Sequence, residues 1–171
     1  MKRHITLVTG GQRSGKSSYA QNLALSQTPN PVYLATSRIW DEEFRKRVER
    51  HQRNRGPEWT NIEEEKFLSR HNLEGRVIVI DCVTLWGTNF FFDNNSDVEL
   101  SLTQLKEEFR KFTDQQASFI FVSNEIGLGG VATDEVQRKF TDLQGWLNQY
   151  IALQADQVVL MVSGIPVKVK G

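Results

Sequence analysis

"HITLVTGGQRSGKS", residues 4–17, runs a short β-branched and apolar stretch directly into a glycine-bounded turn that ends in Lys-Ser. The turn, Gly10-Gly11-Gln12-Arg13-Ser14-Gly15-Lys16-Ser17, fits G-x-x-x-x-G-K-[ST], and a helical pattern follows it. Strand, glycine-rich turn, then helix is the context of a phosphate loop. Glycines let backbone N–H groups converge on phosphate oxygens, and the start of the helix adds partial positive charge. Lys16 is expected to reach the β- and γ-phosphates as a catalytic cation, and the Ser17 hydroxyl to ligate Mg²⁺.

Further along, short apolar runs alternate with helical patterns. "VYLAT" (32–36), "RVIVIDC" (76–82), "SFIFVS" (118–123) and "QVVLMVS" (157–163) join residues 4–9 as five expected strands. Their near-continuous apolar character is that of strands buried on both faces of a parallel sheet. The clearest helix spans Asp134 to Ala155: Val136, Phe140, Leu143, Leu147 and Ile151 recur at three- and four-residue steps behind an Asp134 N-cap. This order predicts an α/β fold in which helices flank a mostly parallel sheet, with ligands beyond the carboxyl ends of the strands. "GIPVKVKG" (164–171) predicts a short antiparallel C-terminal edge strand.

The 171 residues fit one domain, 1–171, without repeat or linker. Twenty-one basic residues balance 21 acidic ones, so no global field recruits nucleic acid or an anionic membrane. The single cysteine, Cys82, excludes an intramolecular disulfide and a multi-cysteine metal site, and its apolar setting predicts a packed thiol. No signal-peptide pattern or membrane span is visible, which leads to the expectation of a cytoplasmic protein.

A phosphate loop leaves the reaction open. "VIVID" (77–81) ends a strand on Asp81, where P-loop proteins keep the acid that holds or orients Mg²⁺, although acids also end strands for other reasons. "RKRVERHQRNR" (45–55) embeds His51 among arginines and lysines, in a helix expected from Asp41 to before Gly56-Pro57. Two readings stand at this point. The stretch is either a solvated basic face with an incidental histidine, or a site where Arg47 and Arg55, at i±4, bind a triphosphate and keep the imidazole neutral and nucleophilic.

In order and over nearly the whole chain, "TGGQRSGKSSYAQ", "VYLATSRIWDEEFRKRVERHQRNRGPEW", "IDCVTLWGTN", "VSNEIGLGGV" and "VSGIPVKVK" resemble the bifunctional adenosylcobinamide kinase/adenosylcobinamide-phosphate guanylyltransferase family. The resemblance implies phosphorylation of adenosylcobinamide by ATP or GTP. It further implies transfer of GMP from GTP to adenosylcobinamide phosphate through a GMP-histidine intermediate, as a step of cobalamin biosynthesis. It also implies a RecA-like sheet and a homotrimer. His51, in Arg47-Val48-Glu49-Arg50-His51, matches the family's R-[IV]-x-x-H. Positions 10–17, Ala35, Thr36, Ser37, Gln52, Arg53, Asn54, Arg55, Glu63 and Asp81 fall where the family touches GTP. Many relatives carry Glu in place of Asp81 and a Pro within 127–135, departures that bear on the reach of the acid and on the geometry of that loop and remove no catalytic group.

Other features keep two readings each. "LWGTNFFFD" (85–93) crowds Leu85, Trp86, Phe90, Phe91 and Phe92 into one segment, as an interface or corrin-facing surface or as the start of a core helix. Asn124 and Glu125 follow the fourth expected strand, either to orient Mg²⁺, water or acceptor, or simply to end it. Two other functions share the phosphate loop: kinase for another small alcohol, and non-catalytic nucleotide switch.

Overall fold

In the computed structural model, residues 1–38, 45 and 55–171 are described. Most of the helix expected from Asp41, with Arg47, His51, Gln52, Arg53 and Asn54, lies outside them, and Arg55 at its end is within them.

Seven strands form one sheet: β1 (His4–Gly10), β2 (Val32–Ala35), β3 (Thr60–Glu63), β4 (Val77–Asp81), β5 (Ser118–Val122), β6 (Gln157–Val162) and β7 (Ile165–Lys170). Their spatial order is β3-β2-β4-β5-β1-β6-β7, and every pairing is parallel except β6 with β7. The strand feeding the phosphate loop is therefore central, and β5 lies between it and the strand ending in Asp81.

Alternation along the strands divides the core. Ile5, Leu7, Val32, Leu34, Ile78, Ile80, Phe119 and Phe121 face three helices: α2 (Val83–Asp93), α3 (Val98–Phe112) and α4 (Glu135–Gln154). Val8, Tyr33, Val77, Val79, Ile120, Val122 and Met161 face the other way, onto α1 (Lys16–Gln27), whose Ala20 and Ala24 are fully buried. Burial on both sides explains why these strands read as continuous apolar runs. Asp134 caps α4 as its sequence predicts, accepting from the Gln137 amide at 2.8 Å. Asp97 caps α3 in the same way through the Leu100 amide at 2.9 Å.

The sheet has one more parallel strand than the five expected runs and the tail supply. β3, "TNIE", has three exposed residues and only Ile62 packed against the core. An edge strand next to solvent needs no apolar run, so periodicity misses it. In residues 85–93, Trp86, Phe90 and Phe91 are buried in the core, Leu85 packs against the α1-side cluster, and Phe92 is exposed. The core-helix reading therefore holds for these three buried rings, and the Trp86 indole donates to the Lys66 carbonyl at 2.9 Å.

Candidate active site

Residues 10–17 link the carboxyl end of β1 to α1, with Gly15 as N-cap at φ +92°. Gly10 is fixed by close approach: a Cβ there would lie 2.7 Å from the Met161 carbonyl and 2.7 Å from Ser14 Oγ, at φ +153°. The turn between β6 and β7 closes on the loop, Gly164 N–H donating to the Ser14 carbonyl at 3.0 Å. Gly11, Gln12 and Arg13 face solvent, whereas Ser14 and Lys16 are buried.

Lys16 Nζ donates to the Gly11 carbonyl at 2.5 Å, and Ser14 Oγ lies 3.4 Å away. Burial lowers its ionisation below that of an ordinary lysine, while Cys82 and Asp81 pull the other way. An ammonium held inside the loop stands where phosphate oxygens approach the converging amides.

Asp81 receives two donors on one oxygen. Ser17 Oγ donates to Oδ2 at 2.7 Å, and Tyr33 Oη donates to the same atom at 2.6 Å. Burial first, then the Asp81 charge and this hydrogen bond, push the Tyr33 phenol far above its usual range, so it remains a donor. The Arg55 guanidinium lies over the Tyr33 ring, 3.6 Å from its centroid, and Arg55 Nε donates to Asn61 Oδ1 at 2.9 Å. Burial draws Arg55 down from the usual arginine range, with Tyr33 and Asp81 opposing. The end of the basic stretch is thus connected, through one tyrosine ring, to the acid beside the phosphate loop.

Strand register lines up several of the expected residues. Glu63, Ala35 and Asp81 occupy neighbouring positions across β3, β2 and β4 at the carboxyl edge of the sheet. Beyond Ala35, Thr36 is fully buried. Its hydroxyl donates to the Cys82 carbonyl at 2.7 Å and accepts from the Cys82 amide at 2.9 Å, while its carbonyl accepts from Asn89 Nδ2 at 2.8 Å. Thr36 so fastens the ends of β2 and β4, with partly exposed Ala35 and Ser37 on either side.

Between β4 and β1, just past the end of β5, the Glu125 amide donates to the Gly10 carbonyl at 3.0 Å, and Thr9 Oγ1 donates to Glu125 Oε1 at 2.8 Å. Asn124 is held by Thr84 Oγ1 at 3.1 Å. The pairing of β5 with β1 puts both residues beside the phosphate loop, as a doubly wound order requires.

Sequence reasoning missed Tyr33, Thr9 and the Thr84 hydroxyl. The signal for Tyr33 was a phenol in an otherwise aliphatic strand, since a buried tyrosine O–H needs a polar partner.

Could these residues hold a divalent cation? A hydroxyl and a carboxylate oxygen 2.7 Å apart at the mouth of a phosphate loop are the hard oxygen donors Mg²⁺ takes alongside phosphates and water. Two protein oxygens fill only part of an octahedral Mg²⁺ shell, which suits a cation shared with a nucleotide and water. No helix among the described residues is long and apolar enough to cross a membrane.

The family model described as cobinamide kinase / cobinamide phosphate guanyltransferase matches residues 6–169. Pseudomonas aeruginosa bifunctional adenosylcobalamin biosynthesis protein CobP is 36% identical over 170 residues, covering 96% of each chain. The Escherichia coli bifunctional adenosylcobalamin biosynthesis protein CobU is 33% identical over 181 residues, covering 97% of this chain and 99% of its own. Among solved structures, flagellar accessory protein FlaH of Methanocaldococcus jannaschii aligns over 99% of this chain and 79% of its own, at 15% identity and TM-score 0.53. A type III secretion system ATPase of pathogenic bacteria aligns over 94% and 51%, at 9% identity and TM-score 0.58. At such identities the two structures speak for the fold alone.

Proposed function

Because the chain belongs to the cobinamide kinase / cobinamide phosphate guanyltransferase family, we propose that it catalyses two successive transfers on adenosylcobinamide. In the first, the aminopropanol oxygen attacks the γ-phosphorus of ATP or GTP. The bond to the β-phosphate oxygen breaks, the hydroxyl proton is lost, and adenosylcobinamide phosphate and the nucleoside diphosphate leave. In the second, an imidazole nitrogen of His51 attacks the α-phosphorus of GTP and expels pyrophosphate. The phosphate of adenosylcobinamide phosphate then displaces the histidine, giving adenosylcobinamide-GDP and restoring the imidazole.

The observation that carries the kinase half is the Ser17 hydroxyl on Asp81 Oδ2 at 2.7 Å, beside a buried Lys16. Lys16 and the amides of residues 10–17 bind the phosphates, and Ser17 with Asp81 would hold Mg²⁺. That ion supplies charge neutralisation of the transferring phosphoryl group when bound. Ala35, Ser37, Gln52, Arg53, Asn54, Arg55 and Glu63 surround the nucleotide in this reading, with Thr36 fixing the strand ends beneath them. The assembly expected is a homotrimer.

Acid-labile protein labelling by α-³²P-GTP tests the histidine. A phosphoramidate survives base and not acid, so wild-type protein retains label through alkali and His51→Ala takes none, while still phosphorylating adenosylcobinamide. Neither a kinase for another alcohol nor a nucleotide switch acquires label. Guanylyl transfer at the normal rate by His51→Ala, given purified adenosylcobinamide phosphate, overturns the assignment.

A further inference from the structure

Two donors converge on one oxygen of Asp81, and only Ser17 belongs to the phosphate-loop signature. Tyr33 is on β2, in register with Val79 of β4, two residues short of the Ala35–Asp81 pair. Positions 33, 35, 79 and 81 share one face of the sheet, by the two-residue alternation of strands. The small side chain at 35 leaves space opposite the acid, and the phenol reaches Asp81 Oδ2 at 2.6 Å. The ring cannot swing away easily. It is 7% exposed, with the Trp59 indole edge-on at 5.9 Å and the Arg55 guanidinium 3.6 Å over its centroid. A carboxylate at a strand end rotates about two side-chain torsions, and a donor fixed from below selects one orientation before any ligand arrives.

We propose that Tyr33 is the positioning residue of this site: its hydroxyl fixes the Asp81 carboxylate so that Asp81 and Ser17 meet a nucleotide-borne divalent cation in one geometry. The proposal rests on reading Ser17 and Asp81 as the groups that hold the metal. Tyr33 touches neither nucleotide nor cation; it acts through Asp81. Its ring also seats Arg55, so the same side chain ties the metal acid to the residue that closes the basic stretch.

Tyr33→Phe removes one oxygen and keeps the ring under Arg55. The measurement is Mn²⁺ affinity, from the electron paramagnetic resonance of free Mn²⁺, on full-length protein saturated with a non-hydrolysable GTP analogue. Loss of a hydrogen bond to a charged group predicts about tenfold weaker Mn²⁺ binding. Binding of the same analogue in EDTA is expected to stay unchanged. In an Asp81→Asn background, Tyr33→Phe is expected to add nothing. Unchanged Mn²⁺ affinity overturns the proposal, as does an equal loss in the Asp81→Asn background or a matching loss of metal-free analogue binding, either of which marks general distortion. If Asp81→Asn alone leaves Mn²⁺ affinity intact, the reading of Asp81 as the metal acid falls, and the role of Tyr33 with it. A second measurement alters no residue at 33. The chain has three tyrosines, so 3-fluorotyrosine labelling gives few ¹⁹F resonances, assigned through Tyr19→Phe and Tyr150→Phe. The Tyr33 resonance is expected to shift when Mg²⁺ is added to the analogue-bound protein, and a resonance that does not move overturns the proposal.

Discussion

Lys16 is held by the loop that it serves. Its ammonium bonds the Gly11 carbonyl from a buried position, so little reorganisation separates it from charge developing on a phosphoryl group. Lys16→Ala is expected to reduce phosphorylation of adenosylcobinamide by roughly 10³-fold in rate, with the fold intact by circular dichroism. Near-normal turnover in the folded variant means that the phosphoryl transfer happens elsewhere. Cys82, next to the acid in sequence, has the opposite chemistry. Burial, then the Asp81 charge, push the thiol up to about 12, and its sulfur accepts from the Leu85 amide at 3.5 Å as the N-cap of α2. A raised pKa leaves the protonated, unreactive form dominant at neutral and mildly alkaline pH. Ellman's reagent is therefore expected to react with the native protein far more slowly than with protein in guanidinium, and equal rates refute the packed thiol.

At the scale of elements, what could be read in advance tracked what physics imposes on local sequence. Strands buried on two faces must be apolar along their length, so β1, β2, β4, β5 and β6 were legible to within a residue or two, and α4 from its stripe and its Asp134 cap. The phosphate loop was legible because glycine is required where φ is positive and space is absent, as at Gly10 and Gly15. β3 was not, because an exposed edge places no such demand on its residues. Nor was the bond from Tyr33 to Asp81, which depends on which strands are neighbours, information that no local window contains. The cap supplies a quantitative check. Asp134 accepts the Gln137 amide at the exposed start of a twenty-residue helix, with Glu135 and Lys139 paired at 2.7 Å one turn on. Asp134→Ala is expected to cost about 1 kcal/mol, seen as a fall in Tm of about 2–4 °C. Asp134→Ser, which restores an acceptor, recovers most of it, and equal losses in both variants discount the cap.

At the scale of the whole molecule, two chemical steps meet one sheet with one phosphate loop. Only residues 10–17 in the 171-residue chain match G-x-x-x-x-G-K-[ST]. The groups around that loop come from separate strands: Asp81 at the end of β4, Tyr33 on β2, Glu125 just past β5. They converge because the sheet is parallel, which brings all these carboxyl ends to one edge. Arg55, from the end of the basic stretch, reaches the same edge by packing on Tyr33. If this one loop receives the triphosphate for both transfers, the phosphoryl donor and the GMP donor cannot occupy it together in one subunit. A non-hydrolysable ATP analogue is then expected to suppress acid-labile GMP incorporation and adenosylcobinamide phosphorylation with the same inhibition constant, and each inhibition is expected to be relieved competitively by GTP. The measurement is a pair of titrations at matched GTP concentrations, one scored as protein-bound GMP and the other as adenosylcobinamide phosphate. GMP incorporation that continues at analogue concentrations blocking the kinase step demands a second nucleotide site, and so a division of labour that a single phosphate loop does not provide.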